Sequence, residues 1–296
     1  MAETDKKIDK ETGIETTGHT WDGIEELNNP LPRWWLWIFY ATVAWSLLYV
    51  IAYPAIPLLD RATGGLFGWS TRGEVAQDIA DFEASNAELR QSLLNVDLRV
   101  LEENEELHRY AVQAGAAVYR NNCSQCHGSG GAGAVGYPNL LDDAWLWGGL
   151  REDIAYTVRH GIRNEEDPDA RYSEMPAFGE ILTDEEIDQL VQYVLAMSGQ
   201  DHDATAAAQA EELFLDNCSA CHGEDGLGMR DVGAPNLTDA IWLYGGDPET
   251  LRETLLYSRY GVMPPWGERL GEANVRAVAA YVHQLGGGED APNDEE

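Results

Sequence analysis

The 296-residue sequence predicts a mainly α chain: one N-terminal transmembrane helix, a helical connector and two tandem all-α domains. Three observations carry this expectation. A single uninterrupted apolar run lies near the N-terminus. The C-terminal two-thirds of the chain repeats itself once. Apolar residues in both copies recur at the three- and four-residue spacing of a helix face.

The apolar run is "WWLWIFYATVAWSLLYVIAYPAIPLL", residues 34–59, without an Asp, Glu, Lys, Arg or His. About 20 apolar residues cross the hydrocarbon core of a bilayer as a helix. Trp34, Trp35 and Trp37 stand at one end and Tyr49 and Tyr53 near the other, as interfacial aromatic belts do. Pro54 and Pro57 loosen or end the helix on the far side. Mostly polar residues 1–33 come first, which does not suit a cleaved signal peptide, so the run reads as an uncleaved anchor in membrane lipid. Lys6, Lys7, Lys10 and Arg33 precede it, and Arg61 and Arg72 follow. That small bias puts residues 1–33 in the cytoplasm.

Residues 60–109 read as the helical connector. Val75, Ile79, Phe82, Leu89, Leu93, Val96, Val100 and Leu107 form a narrow stripe. Such a stripe is a seam for one neighbouring helix, and a solvated helix is the alternative. The formal net charge of −33 argues against nucleic acid as a partner, because phosphate binding needs a basic face. It leaves basic proteins open.

The repeat begins near Ala111. "QAGAAVYRNNCSQCHG" aligns with "QAEELFLDNCSACHG", and "YPNLLDDAWLWGG" with "APNLTDAIWLYGG". "VRHGIR" aligns with "SRYGVM", and the stretch from "MPAFGE" with that from "MPPWGE". The first domain is placed at 110–199 and the second at 204–287, with "GQDHDAT" between them and an acidic tail at 288–296. In each, a helix leads into the cysteines, a Gly-rich loop follows, and a last helix ends the domain. Ile187, Leu190, Val191, Val194 and Leu195 form the apolar face of one such last helix, expected to pack on the first helix of its own domain.

All four cysteines lie in two copies of one pentapeptide, Cys123–Cys126–His127 and Cys218–Cys221–His222. A C-x-x-C pair followed directly by His is the signature of covalent c-type haem attachment. Zinc ribbons instead pair one C-x-x-C with another, and a thioredoxin-like site needs a βαβ context that is absent. Two covalent haems c per chain follow, with His127 and His222 as proximal ligands, and the repeats read as class I cytochrome c domains. Met175 and Met263 repeat in register, each before the last helix of its copy, and are the expected distal ligands. Met197 and Met229 have no counterpart, and His160, whose counterpart is Tyr260, is the rival in the first domain. His/Met ligation closes both axial positions and suits electron transfer, so no catalytic residue is expected. Trp145, Trp242, Arg159 and Arg259 recur, either at the haem edge and propionates or as ordinary packing and surface charge.

The stretch "GHTWDGIEELNNPLPRWWLWIFYATVAWSLLYVIAYP" resembles the start of the dihaem subunit, subunit III, of cbb3-type cytochrome c oxidases. There a "DGI-x-E-x-x-N-P-L-P-x-W-W" run precedes the anchor, here Asp22 to Trp35. The resemblance covers essentially the whole chain. It implies an electron-transfer subunit that accepts electrons from a donor cytochrome c. It would pass them towards a monohaem cytochrome c subunit and a catalytic haem b/copper subunit that reduces O2 to water, with proton translocation by the complex. It also implies a bacterial inner membrane with the haem domains periplasmic. In cytochromes of this kind a proline carbonyl, here of Pro138 and Pro235, accepts the N–H of the axial histidine. The alternative is a membrane-tethered dihaem shuttle outside any oxidase.

Overall fold

Pro32, at φ −55° and ψ 136°, ends an extended stretch and opens helix α1, Arg33–Ala52. In the computed structural model, which describes residues 7–290, α1 buries none of its side chains. Its 20 residues span about 30 Å at 1.5 Å per residue, the thickness of a bilayer core. It is, among the described residues, the one helix long and apolar enough to cross a membrane. The helix is shorter than the predicted span of 34–59. Tyr53 precedes a proline and takes an extended conformation (φ −118°, ψ 160°), which the α region would make too crowded. The carbonyls of Ile51 and Ala52, orphaned by the helix end, accept from the N–H groups of Leu66 and Phe67 at 3.0 and 3.1 Å. Tyr53 stacks on Tyr49 and meets Phe67 and Trp69 edge-on.

Contacts divide the chain into two compact units, one ending at Ser85 and one beginning at Asn86. Besides α1, the first contains an antiparallel hairpin that helical periodicity did not anticipate: β1, Thr16–Trp21, and β2, Ile24–Leu27. Asp22 and Gly23 take φ of 48° and 84°. This is the doubly left-handed turn that Asp-Gly favours, and that dipeptide was the available signal. Helix α2, Thr71–Ser85, leaves Val75, Ile79 and Phe82 exposed.

The second half of the predicted connector behaves differently. The chain breaks at Asn86 into α3, Ala87–Asn95, and a 3₁₀ segment, Leu98–Glu103. Leu93, Leu98 and Leu101 are buried. The neighbour of α3 is this chain's own last helix, whose Arg276 donates to the carbonyls of Leu93 and Val96, while the 3₁₀ segment packs on helices of the first repeat. The seam is therefore filled from within the chain.

Each repeat contributes the expected helices. In the first, α4, Glu105–Asn122, leads into the short α5, Ser124–His127, and α6, Arg151–His160, and α7, Asp184–Met197, follow. In the second, α8, Ala204–Gln209, and α9, Glu211–Asn217, lead into α10, Ser219–His222. Then come α11, Pro248–Tyr257, α12, Gly267–Leu270, and α13, Glu272–His283. Starts carry their own signals. Thr183 and Glu186 form a reciprocal capping box on α7, and Asp247 caps α11 with Pro248 as its first residue.

The pairing of these helices differs from the expectation. The last helix of each repeat packs on the first helix of the other. One core joins α4 and α6 to α13, with Leu107, Ala111, Tyr119, Ile154, Val275, Val278 and Val282 buried together. The second joins α7 to α8, α9 and α11, with Ile187, Leu190, Val191, Ala210, Phe214, Leu251 and Leu255. Aromatic pairs repeat the exchange: Tyr119 lies against Tyr281 at 5.3 Å and Phe214 against Tyr193 at 5.0 Å. Residues 198–203 form the short link between α7 and α8, and consecutive helices so joined fold back on one another. That takes α7 away from α4. Helix α13 supplies the face that α4 needs.

Gly115 marks how closely α4 and α13 approach. A methyl group there would overlap the Ala277 carbonyl and Tyr281. Gly115→Ala gains about 1 kcal/mol of helix propensity, but overpacking against a backbone costs about 1–3 kcal/mol. The obstacle is main chain and cannot rotate away, so the expected result is net destabilisation. A thermal melt of the purified protein, with a lower midpoint for the variant, is the check.

Within the tail predicted at 288–296, Glu289 is held in place. Glu289 accepts from the Gly149 N–H at 2.8 Å and pairs with Arg230, while His283 Nε2 hydrogen-bonds its carbonyl. Residues 291–296 of that tail lie outside the described residues.

Candidate functional site

The two pentapeptides occupy equivalent positions. Cys123 and Cys218 each end a helix whose last turns hold the chain by N–H donation to Tyr119 and Phe214 carbonyls. The following turn presents Cys126 and His127, or Cys221 and His222, one turn on. None of the four cysteines is in a disulfide. Burial pushes the Cys123 and Cys218 thiols up to about 11, with the second cysteine of each pair adding to the shift.

His127 Nδ1 lies 3.2 Å from the Pro138 carbonyl, and His222 Nδ1 lies 3.0 Å from the Pro235 carbonyl. A carbonyl only accepts, so Nδ1 carries the proton and Nε2 keeps its lone pair. Burial lowers the pKa of both imidazoles, and the carbonyl contact opposes that only in part. Both effects together give a neutral, oriented ring, the state in which imidazole binds a metal.

A cavity of about 450 Å³ opens beside the first pentapeptide. Cys123, Cys126 and His127 line it, with Pro138, Trp145 and Trp147 from the same repeat. The lining thioether is Met263 of the other repeat, joined by Tyr244 and Trp266. Met263 is held there by a two-way backbone bridge: Ile162 N–H donates to its carbonyl at 2.9 Å, and its own N–H to Ile162 at 3.0 Å. Met175 packs instead against the second core, with Cys218, Leu237 and Trp242. Ser258 of the second repeat donates to its carbonyl. Exchange of the last helices therefore exchanges the two methionines as well, which repeat register alone could not show.

The other sequence candidates separate. Trp145 lines the cavity and donates its indole N–H to the Gly287 carbonyl. Trp242 packs in the second core. Arg159 forms a two-pronged pair with Glu272 at 2.6 and 2.9 Å. Arg259 pairs with Glu253 and lies over the Tyr244 ring. The Arg159 pair joins α6 to α13, and Arg259 also donates back to Thr250 and Thr254 of α11. His160 is outside the cavity lining, with Nδ1 2.9 Å from Asp167. Met197 packs against the second core, and Met229 is a loop residue bridged to Ala234.

The residue that sequence reasoning missed is Arg163, which lines the first cavity. Its signal was a break in the repeat: after Ile162 the first copy inserts residues 163–174 before Met175, whereas Val262 is followed directly by Met263.

Two family profiles match the chain. The N-terminal domain of cytochrome oxidase-cbb3, FixP, covers residues 13–60, and cytochrome c oxidase, cbb3-type, subunit III covers 111–194 and 205–282. The cbb3-type cytochrome c oxidase subunit CcoP of Cereibacter sphaeroides is 62% identical over 93% of this chain and 95% of its own length. The chain belongs to the CcoP/FixP family of cbb3-type oxidase subunits. The FixP subunit of Sinorhizobium medicae is 48% identical, with 98% of this chain and all of the relative covered. The CcoP subunit of Rhodobacter capsulatus is 51% identical over 96% of this chain.

Membership makes this CcoP/FixP-family chain an electron-transfer subunit of the oxidase and sets aside the free dihaem shuttle. It also implies c-type haem. The first cavity fits such a group: two thiols and an oriented imidazole lie on its lining, with a thioether, and its walls are largely aromatic and aliphatic. Helix α1 fits the membrane anchor of such a subunit.

Proposed function

We propose that the chain carries two covalent haems c, attached at Cys123/Cys126 and Cys218/Cys221, with His127 and His222 as proximal ligands. The distal ligands are crossed: Met263 serves the haem at His127, and Met175 the haem at His222. The observation that carries this reading is the common lining of one cavity by Cys123, Cys126, His127 and Met263. Bound haem supplies a one-electron iron centre, and His/Met ligation favours its reduced form. The chain's own residues hold the ligands. The proline carbonyls fix the histidine tautomers, and the cross-repeat bridge at Ile162 holds the Met263 segment.

In the oxidase the subunit accepts electrons from a donor cytochrome c. It passes them towards the monohaem cytochrome c subunit and the catalytic haem b/copper subunit. The net charge of −33 suits a basic donor. Helix α1 crosses the inner membrane once, with the N-terminal hairpin cytoplasmic and the haem-bearing unit periplasmic. Residues 34–59 contain no Asp, Glu, Lys, Arg or His, so proton translocation belongs to the catalytic partner.

Denaturing mass spectrometry tests the attachment. The purified chain is expected to be heavier than its sequence mass by two haems, and by one after Cys218→Ala/Cys221→Ala. A wild-type gain of one haem or none overturns the reading. Co-purification with a copper-containing haem b subunit tests the assignment of partners.

A further inference from the structure

Arg163 stands out among the residues of the first cavity. It is a cation in a largely apolar lining, in a chain where acidic residues outnumber Lys and Arg by 52 to 19. Most of the other guanidiniums described in this unit pair with carboxylates. Arg163 donates instead to two main-chain carbonyls. Nε reaches Gly261 at 2.8 Å, and Nη1 reaches Ser173 at 2.9 Å. Gly261 lies two residues before Met263, and Ser173 two residues before Met175. One side chain therefore ties together the segments that carry both methionines.

The backbone at this position is also unusual. Arg163 has φ 49°, one of three non-glycine residues with positive φ among those described. That conformation costs of order 1 kcal/mol or more for a side chain of this kind and persists only where surrounding contacts impose it. Here they do: the Arg163 N–H donates to Arg171 at 2.8 Å, and the neighbouring Ile162 is bridged to Met263. The guanidinium lies 5.8 Å from the Tyr260 ring centroid. Burial lowers its pKa from the usual arginine value, yet that starting value is so high that the group stays charged.

We infer that Arg163 is a positioning residue for both haem sites and, through its charge, raises the reduction potential of the haem held by His127 and Met263. The inference rests on the crossed-ligand reading above. The electrostatic part is direct. A fixed positive charge in a low-dielectric lining disfavours the oxidised form, which carries one more positive charge. The positioning part acts through Gly261 on Met263 and through Ser173 on Met175. The planar fork of arginine suits two carbonyls in different directions, whereas a lysine ammonium is a point charge on a flexible stem.

The test uses the full-length chain, purified in its oxidase. Haem content is measured first by denaturing mass spectrometry. The two low-spin components are then resolved in a redox titration and assigned with Met263→His and Met175→His. If those variants do not each move one component, the ligand reading fails, independently of Arg163. With the assignment in hand, Arg163→Gln is expected to lower the midpoint of the Met263 component and to displace the Met175 component by less. Arg163→Lys is expected to return the Met263 component most of the way to wild type while leaving the Met175 component displaced. If Arg163→Gln sheds a haem, Arg163→Lys carries the test: two haems and a near-wild-type Met263 midpoint support the proposal, and loss in both variants overturns it. Unchanged midpoints in Arg163→Gln, or equal displacement of the Met263 component in the Gln and Lys variants, also overturn it.

Discussion

Replacing Met263 with Leu is expected to remove the methionine–iron charge-transfer band from the haem at Cys123 and Cys126, leaving the haem of its own repeat untouched. The cavity that Cys123, Cys126 and His127 line is also lined by Met263, while Met175 packs with Cys218 in the other core. The assignment is unambiguous in a chain with one haem. In Cys218→Ala/Cys221→Ala, only the haem at Cys123 and Cys126 remains. Met263→Leu in that background should abolish the band and lower the midpoint potential, because loss of the thioether removes a ligand that favours reduced iron. Met175→Leu in the same background should leave the band intact. The opposite pattern would mean that each repeat ligates its own haem and that the helix exchange does not extend to the iron.

Truncation after Gln200 should have an equally large effect. An ordinary tandem arrangement would leave the first repeat as a complete haem domain. Here the cut removes α13, and with it Val275, Val278 and Val282 from the core of α4 and α6. Losing several fully buried aliphatic side chains at about 1.5–3 kcal/mol each exceeds the marginal stability of a small domain. It also strips α7 of Phe214 and Leu251. The expected product is unfolded and protease-sensitive, without a methionine-ligated haem. Limited proteolysis and the charge-transfer band read both outcomes. A truncated chain that resists protease and retains a His/Met spectrum would contradict the exchanged cores.

Much of this protein was legible locally. The C-x-x-C-H pentapeptides need five residues each, the anchor one apolar run, and the α7 start a Thr-x-x-Glu box. The proline carbonyls that orient His127 and His222 follow from a short loop after each pentapeptide. The hairpin at 16–27 was missed although its Asp22-Gly23 turn was visible, because the surrounding strands are short and mostly polar. The connector was half right. Its stripe was real, but Leu93, Leu98 and Leu101 share one core with Val275 and Val278 of the same chain, which are distant in sequence.

The sequence by itself determined the two C-x-x-C-H pentapeptides and the ligands proposed with them, where the apolar helix lies and which family the chain joins. Each of those rests on residue types within a few positions of one another. Only the tertiary structure put Met263 on the cavity that His127 lines, Met175 against the core beside Cys218, and Arg163 between the two methionine segments. The reason is symmetry. The repeats are alike enough that α7 and α13 present nearly equivalent apolar faces, and α4 could bury its own face against either. Periodicity is blind to that choice. The short link from α7 to α8, the backbone contact at Gly115 and the bridge between Ile162 and Met263 resolve it, and all three act between segments that no local pattern connects.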